Sequence, residues 1–192
     1  MIIGVVGQIA SGKGVLVKYL VKKFGFFSFS LSSIVHDELK KRGIKEFTRK
    51  ILQDIGDELR KKEGKGVLAK KALEKIKDQG LSNKNYIIEG IRNPGEVEIL
   101  KKEKDFVLIG IKSKRTLRFK RLLKRGKSWD PRTWSDFLKV DRRDLGLGEE
   151  SLGQQVGKCL AYCDYVLTNN KDLKDFQRKI EKLITKILNE KV

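Results

Sequence analysis

The run Gly7-Gln8-Ile9-Ala10-Ser11-Gly12-Lys13 constrains this chain more than any other stretch. It follows the apolar segment Ile2 to Val6, which reads as a strand, and precedes Val15 to Phe24, which reads as a helix. A strand, a glycine-rich turn and a helix in that order let the backbone wrap closely around an anion. N–H groups from about Ala10 to Val15 then point at phosphate oxygens, and the helix adds its N-terminal dipole. Gly7, Ala10, Ser11, Gly12, Lys13, Gly14 and Val15 are therefore the expected phosphate-contacting residues. Lys13 is expected to reach the β- and γ-phosphates as a point charge. The full pattern places Ser or Thr after the lysine, where a hydroxyl binds Mg²⁺. Gly14 stands there instead, which weakens direct metal ligation and leaves the anion-binding turn intact. The dinucleotide pattern G-x-G-x-x-G is absent, because Gly4 and Gly7 are followed by Ala10 and Gly12 at the wrong spacing.

Around this motif, short β-rich runs alternate with longer helical ones, the signature of a parallel sheet flanked by helices. Further strands are expected at Phe26 to Ser30, Tyr86 to Glu89, Phe106 to Ile111 and Tyr165 to Thr168. Helices are expected at Lys50 to Lys62, Val67 to Lys77, Ser113 to Arg125 and Leu173 to Leu188. The last places Leu173, Phe176, Ile180, Leu183, Ile184 and Ile187 along one stripe, as a helix docked on a core does. The fold class is a three-layer α/β/α P-loop NTPase fold with a five-stranded parallel sheet, in one domain over residues 1–192. Residues 31–80 read as a helical acceptor-binding insertion and residues 126–157 as a lid-like insertion. Both leave the carboxyl ends of strands, where ligands bind in such sheets.

Lys plus Arg number 44 against 25 Asp plus Glu, a formal net charge of +19. Such a surface steers nucleotides and binds nucleic acid non-specifically. The basic residues are spread over many helical faces, so a nucleic-acid partner ranks below a small-molecule one. The longest apolar runs fall short of the roughly eighteen residues a membrane span needs, and the first residues lack a basic leader, so a cytoplasmic protein without a membrane partner is expected. A monomer or a homodimer are both compatible with the sequence. Cys159 and Cys163, four apart, would share one helix face; with no histidine near them they read as small buried side chains.

Glu89 ends an apolar run, where a carboxylate can hold Mg²⁺ through water or position an attacking hydroxyl. Arg92, three residues on, is suited to grip a phosphate bidentately. In the stretch 115–125, Arg118, Arg121 and Arg125 recur at helical spacing, and Arg121 and Arg125 are the favoured candidates for neutralising a transferring phosphoryl group. Arg142 and Arg143 are candidates for closing onto phosphates from the later insertion, with Asp141 and Asp144 as their ion-pair partners. His36, the single histidine, is a candidate contact for an acceptor phosphate or base. One histidine excludes a histidine metal cluster, and no protein metal site is expected.

Three stretches resemble the P-loop nucleoside monophosphate kinase group, which includes adenylate kinases, deoxynucleoside monophosphate kinases and dephospho-coenzyme A kinases. They are GVVGQIASGKG at 4–14, YIIEGIRNPGEVEIL at 86–100 and CDYVLTNNKDLKDF at 163–176. The resemblance implies transfer of the γ-phosphoryl group of ATP, with Mg²⁺, to a nucleotide-like acceptor under an arginine-bearing lid. It places Arg92 on the acceptor phosphate. It also shows departures: His36 stands where adenylate kinases carry an acceptor-binding arginine, and Ser30 to Ser33 lack the aspartate of dephospho-coenzyme A kinases.

Overall fold

The computed structural model describes residues 1–79 and 84–190. Its strands are β1 (Ile2–Val6), β2 (Phe27–Ser30), β3 (Tyr86–Glu89), β4 (Phe106–Lys112) and β5 (Tyr165–Thr168). The helices, in chain order, are α1 (Lys13–Phe24), α2 (Leu31–Lys41), α3 (Arg49–Glu63), α4 (Val67–Asp78), α5 (Pro94–Leu100), α6 (Arg115–Arg125), α7 (Trp134–Leu145), α8 (Val156–Ala161) and α9 (Leu173–Asn189). The strands form one parallel sheet in the order β2-β3-β1-β4-β5.

Both faces of the sheet are covered, which is why its strands read as near-continuous apolar runs. Ile3 and Val5 of β1 point into a core shared with Leu16 and Leu20 of α1 and Phe176, Ile180, Ile184 and Ile187 of α9. Val6 points the other way, into a core built by α2, α3, α4, α5 and α8. The expected three-layer α/β/α architecture is present. A third, small core of Ile9, Leu122 and Phe137, with Phe119, Leu138 and Val140 against it, fastens α6 and α7 to the loop after β1.

Local departures from the expected elements have local causes. α1 starts at Lys13 because Gly12, with φ 116°, makes the turn immediately before it. Leu173, expected in the buried stripe of α9, is 57% exposed at the first turn of that helix. Cys159 and Cys163 do not share a helix face: α8 ends at Ala161, and the Cys163 thiol donates to the Cys159 carbonyl at 3.5 Å from the turn into β5. Burial raises the pKa of both thiols, that of Cys163 to about 12. Between residues 31 and 78 the chain forms three helices, α2, α3 and α4, and no strand, as expected; Gly80, the expected end of that insertion, lies outside the described residues. No helix among the described residues is long and apolar enough to cross a membrane.

Candidate nucleotide site

The register pairs Val5 with Glu89, so β1 and β3 end side by side and set the carboxylate of Glu89 beside the start of the glycine-rich loop. Two glycines in that loop are required by close approach. A Cβ on Gly7 would sit 2.6 Å from the Ile111 carbonyl oxygen, and one on Gly12, at φ 116°, would run into Asn169 Nδ2. Asn169, just after β5, donates to the Ser11 carbonyl at 2.9 Å and so ties the loop to the far side of the sheet. Ala10 holds φ 57°, a left-handed conformation that costs a non-glycine residue energy and clusters at functional sites. The Ser11 hydroxyl is buried without a hydrogen-bond partner among the described residues. Gly14 and Val15 lie in the first turn of α1, and a Cβ on Gly14 would meet nothing within 4 Å.

Lys13 folds back on its own loop, donating to the carbonyls of Gly7 at 2.6 Å and Gln8 at 3.0 Å. Burial, and then the Arg92 guanidinium, pull its pKa from 10.5 to about 8; Asp144 and Glu89 oppose this and Arg49 adds to it. Arg92 ion-pairs with Asp144 and donates to Gln154 Oε1 at 3.2 Å. Its backbone N–H donates to Glu96 Oε2 at 2.7 Å. The Glu89 side chain makes no hydrogen bond or ion pair among the described residues. Lys13, Glu89 and Arg92 therefore share one electrostatic neighbourhood at the carboxyl ends of β1 and β3.

The other candidate residues are placed differently. Arg121 donates to Ser113 Oγ at 2.9 Å, to the Asn169 carbonyl at 3.1 Å and to Asn169 Oδ1 at 3.2 Å, so it braces the turn that holds the loop. Arg125 pairs with the buried Asp130 at 2.7 Å. Arg143 pairs with Asp54 and Asp57 of α3 at 2.7 and 2.8 Å. Arg142 is exposed and lines a shallow groove with Arg115, Ser135 and Leu147. His36 packs its ring against Phe47 and Trp129, with centroids 5.4 and 5.9 Å away; burial, and then Lys127 and Arg49, lower its pKa.

Asp141 and Asp144 do not pair with Arg142 and Arg143, because adjacent positions on a helix face different directions. Asp141, fully buried, accepts from Gln8 Nε2 at 3.0 Å and pairs with Arg118, while Asp144 accepts the Ile9 N–H at 3.1 Å. Arg118, 2% exposed, also donates to the Ile9 carbonyl at 3.4 Å. Arg49 went unnoticed in the sequence. It has no side-chain hydrogen bond or ion pair among the described residues, and burial and Arg92 pull its pKa down to about 10. Nothing in its local sequence, a lone arginine beside Lys50 at a helix start, marks it out.

A phosphate-loop turn between β1 and α1, on a parallel sheet of this order, defines a P-loop nucleotide-binding domain of kinase-like fold. Residues 6–136 match the family described as AAA domain. The chain belongs to that family and, over its whole length, to the UPF0200 family. It is 35% identical over 192 residues to UPF0200 protein PH1008 of Pyrococcus horikoshii, covering 98% of each chain. It is 32% identical to UPF0200 protein MJ1399 of Methanocaldococcus jannaschii, covering 98% of this chain and 91% of that one. Among solved structures, TT1252 from Thermus thermophilus superposes with a TM-score of 0.61 at 17% identity, covering 97% of both chains. A shikimate kinase from Acinetobacter baumannii in complex with shikimate does so with a TM-score of 0.56 at 16% identity, covering 96% of this chain and 93% of that one. These likenesses show the fold.

Proposed function

We propose that this protein transfers the γ-phosphoryl group of ATP to a small phosphate-bearing acceptor, a nucleoside or deoxynucleoside monophosphate. The observation that carries this reading is the convergence of Lys13, Arg49 and Arg92, with Asp144 as the carboxylate that both lowers their mutual repulsion and pairs with Arg92. Cations held together at the end of a sheet are costly unless anions join them. A phosphate on either side of the transferred group supplies those anions.

The roles follow from placement. The loop from Ala10 to Val15 holds the donor phosphates with its N–H groups, and the unpartnered Ser11 hydroxyl is one more donor. Lys13 exchanges two loop carbonyls for phosphate oxygens. Arg92 holds the acceptor phosphate, and Arg121 keeps the loop braced through Asn169. Mg²⁺, when bound, would neutralise phosphate charge; the Glu89 carboxylate, without a hydrogen bond or ion pair among the described residues, is the group that would hold it, since Gly14 offers no hydroxyl. Most of the rate comes from positioning and charge stabilisation.

Gly14 favours a second reading, a nucleotide-binding regulatory protein with little transferase activity. The net charge of +19 is the support for a nucleic-acid-linked ATPase. A coupled ADP-release assay with Mg²⁺–ATP separates the three. It uses ribo- and deoxynucleoside monophosphates, dephospho-coenzyme A and short oligonucleotides, beside Lys13→Ala. Acceptor-dependent turnover lost in the variant supports the kinase; ATP binding with no stimulation by any acceptor supports the regulatory reading.

A further inference from the structure

Two spaces meet at Arg49. The pocket between α2, α3 and the turn after β3, bordered by Ser32, Val35, Gly90 and Arg92, has a free volume of about 30 Å³. That is room for a water or two and for no ring. On the other side of Arg49, between the start of α3 and residues 128–143, opens a cleft of about 570 Å³. Small-molecule sites fall in that size range. Trp129, Pro131 and Val140 supply its apolar wall, and Arg49, Lys50 and Arg132 its cationic side.

Arg49 is set in place from its backbone, whose N–H donates to the Trp129 carbonyl at 3.1 Å. Its Nε is buried without a hydrogen-bond partner among the described residues; Asp144 and Asp130 act on it only at range, with no direct ion pair, and a largely enclosed guanidinium without a paired carboxylate favours an arriving anion. Trp129 is held as rigidly: its ring packs on Phe47 at 5.3 Å and on His36 at 5.9 Å, with the Lys127 ammonium 5.0 Å from its centroid. A half-buried indole braced by two rings is a surface on which a flat group stacks.

We propose that Arg49 joins Arg92 in clamping the acceptor phosphate, and that the acceptor's base lies in the cleft against Trp129 rather than between α2 and α3. The inference rests on the phosphoryl-transfer reading for the direction of the phosphate, and it names the acceptor by its parts: a phosphate and an aromatic ring, as in a nucleoside monophosphate. Arg49 thereby supplies the guanidinium that His36 does not.

The chain holds two tryptophans, so Trp134→Phe leaves Trp129 as the sole indole. With the donor site filled by a non-hydrolysable ATP analogue, AMP, GMP, CMP and UMP are titrated beside ribose 5-phosphate. The tightest-binding nucleotide quenches Trp129, and ribose 5-phosphate binds about tenfold or more weaker. Arg49→Ala weakens that nucleotide about 10- to 100-fold, Arg49→Lys less, and donor affinity stays within about threefold. Unchanged Trp129 emission, or equal binding of ribose 5-phosphate, overturns the placement of the ring. Unchanged nucleotide affinity in Arg49→Ala overturns the clamp. Arg49-dependent nucleotide binding without turnover keeps this site and removes the transferase, whereas turnover indifferent to Arg49 does the reverse.

Discussion

Asp144 of α7 accepts the backbone N–H of Ile9 in the phosphate loop at 3.1 Å. The same carboxylate pairs with Arg92, so one side chain from the 126–157 segment holds both a loop N–H and the guanidinium after β3. Asp144 is 1% exposed, and this bond lies where water screens little. It ties the segment that carries it to the loop and to Arg92 at once.

Removing that charge takes away the ion-pair partner of Arg92, which then faces Lys13 and Arg49 with only the more distant Glu89 and Asp130 carboxylates nearby. Asp144→Asn is expected to cost about 3 kcal/mol, a fall in Tm of roughly 6–12 °C. Inorganic pyrophosphate, by supplying the missing charge, restores more of the Tm in the variant than it adds to the parent. Differential scanning calorimetry with and without pyrophosphate measures both shifts. Equal shifts in the two proteins would show that Asp144 and a phosphate do not share partners.

Lys13 gives a pH dependence with a definite sign. Its folded pKa, about 8, lies below the ordinary 10.5. Between those values the unfolded chain holds more protons than the folded one, so the ligand-free protein gains stability as pH rises through that window. Below about 8 both states are protonated and the full cost of burying the ammonium is carried. A bound triphosphate raises the pKa again, so ATP binding near pH 8.5 takes up protons and weakens as pH rises further. Calorimetry in buffers of different ionisation enthalpy reads that uptake; binding with none would place Lys13 away from the phosphates.

The layered fold was legible because its signals are local. The Ile2 to Val6 run, the glycines and the apolar stripe of α9 each follow from spacing, and the ends moved by one or two residues, as at Phe27, Lys112 and Arg115 and before α1, where Gly12 makes the turn. The charged side chains were less legible, because a partner across the fold decides what each arginine does. Arg118 and Arg121 recur at the same helical spacing. One is buried on Asp141 and the other braces Asn169. Arg49 has no local mark at all, and its place between two pockets exists only once α3 and residues 128–143 meet.

Gly14 invites the opposite kind of change. Its Cβ direction is open and it sits in the first turn of α1. Gly14→Ser is expected to fold normally and to gain about 0.5 kcal/mol from reduced backbone entropy in the unfolded chain. The added hydroxyl reaches the position that binds Mg²⁺ in the full phosphate-loop pattern. The ratio of ATP affinities with and without Mg²⁺ should therefore rise. An unchanged ratio alongside unchanged turnover would mean that the metal is held wholly from the Glu89 side.

Glu96 connects stability to the acceptor side. It is fully buried, accepts from Arg60 Nε and Nη2 at 2.9 and 2.8 Å, and accepts the N–H groups of Arg92 and Asn93 at 2.7 and 3.2 Å. Glu96→Ala leaves the buried Arg60 guanidinium, 1% exposed, with only the Asp57 carboxylate, 2.9 Å from its Nη1, and is expected to cost about 3 kcal/mol. Replacing both partners, as in Arg60→Met with Glu96→Leu, removes the poorly compensated charge, leaves Asp57 paired with Arg143 at 2.8 Å, and recovers part of that loss. The N–H groups of Arg92 and Asn93 still lack their acceptor in the double variant, so the turn that aims Arg92 stays loose. Stability should therefore return in part while the KM for the acceptor remains raised and the KM for ATP does not. If acceptor KM recovers together with Tm, Glu96 acts only as a core ion pair and the position of Arg92 is set by Asp144 and Gln154 alone.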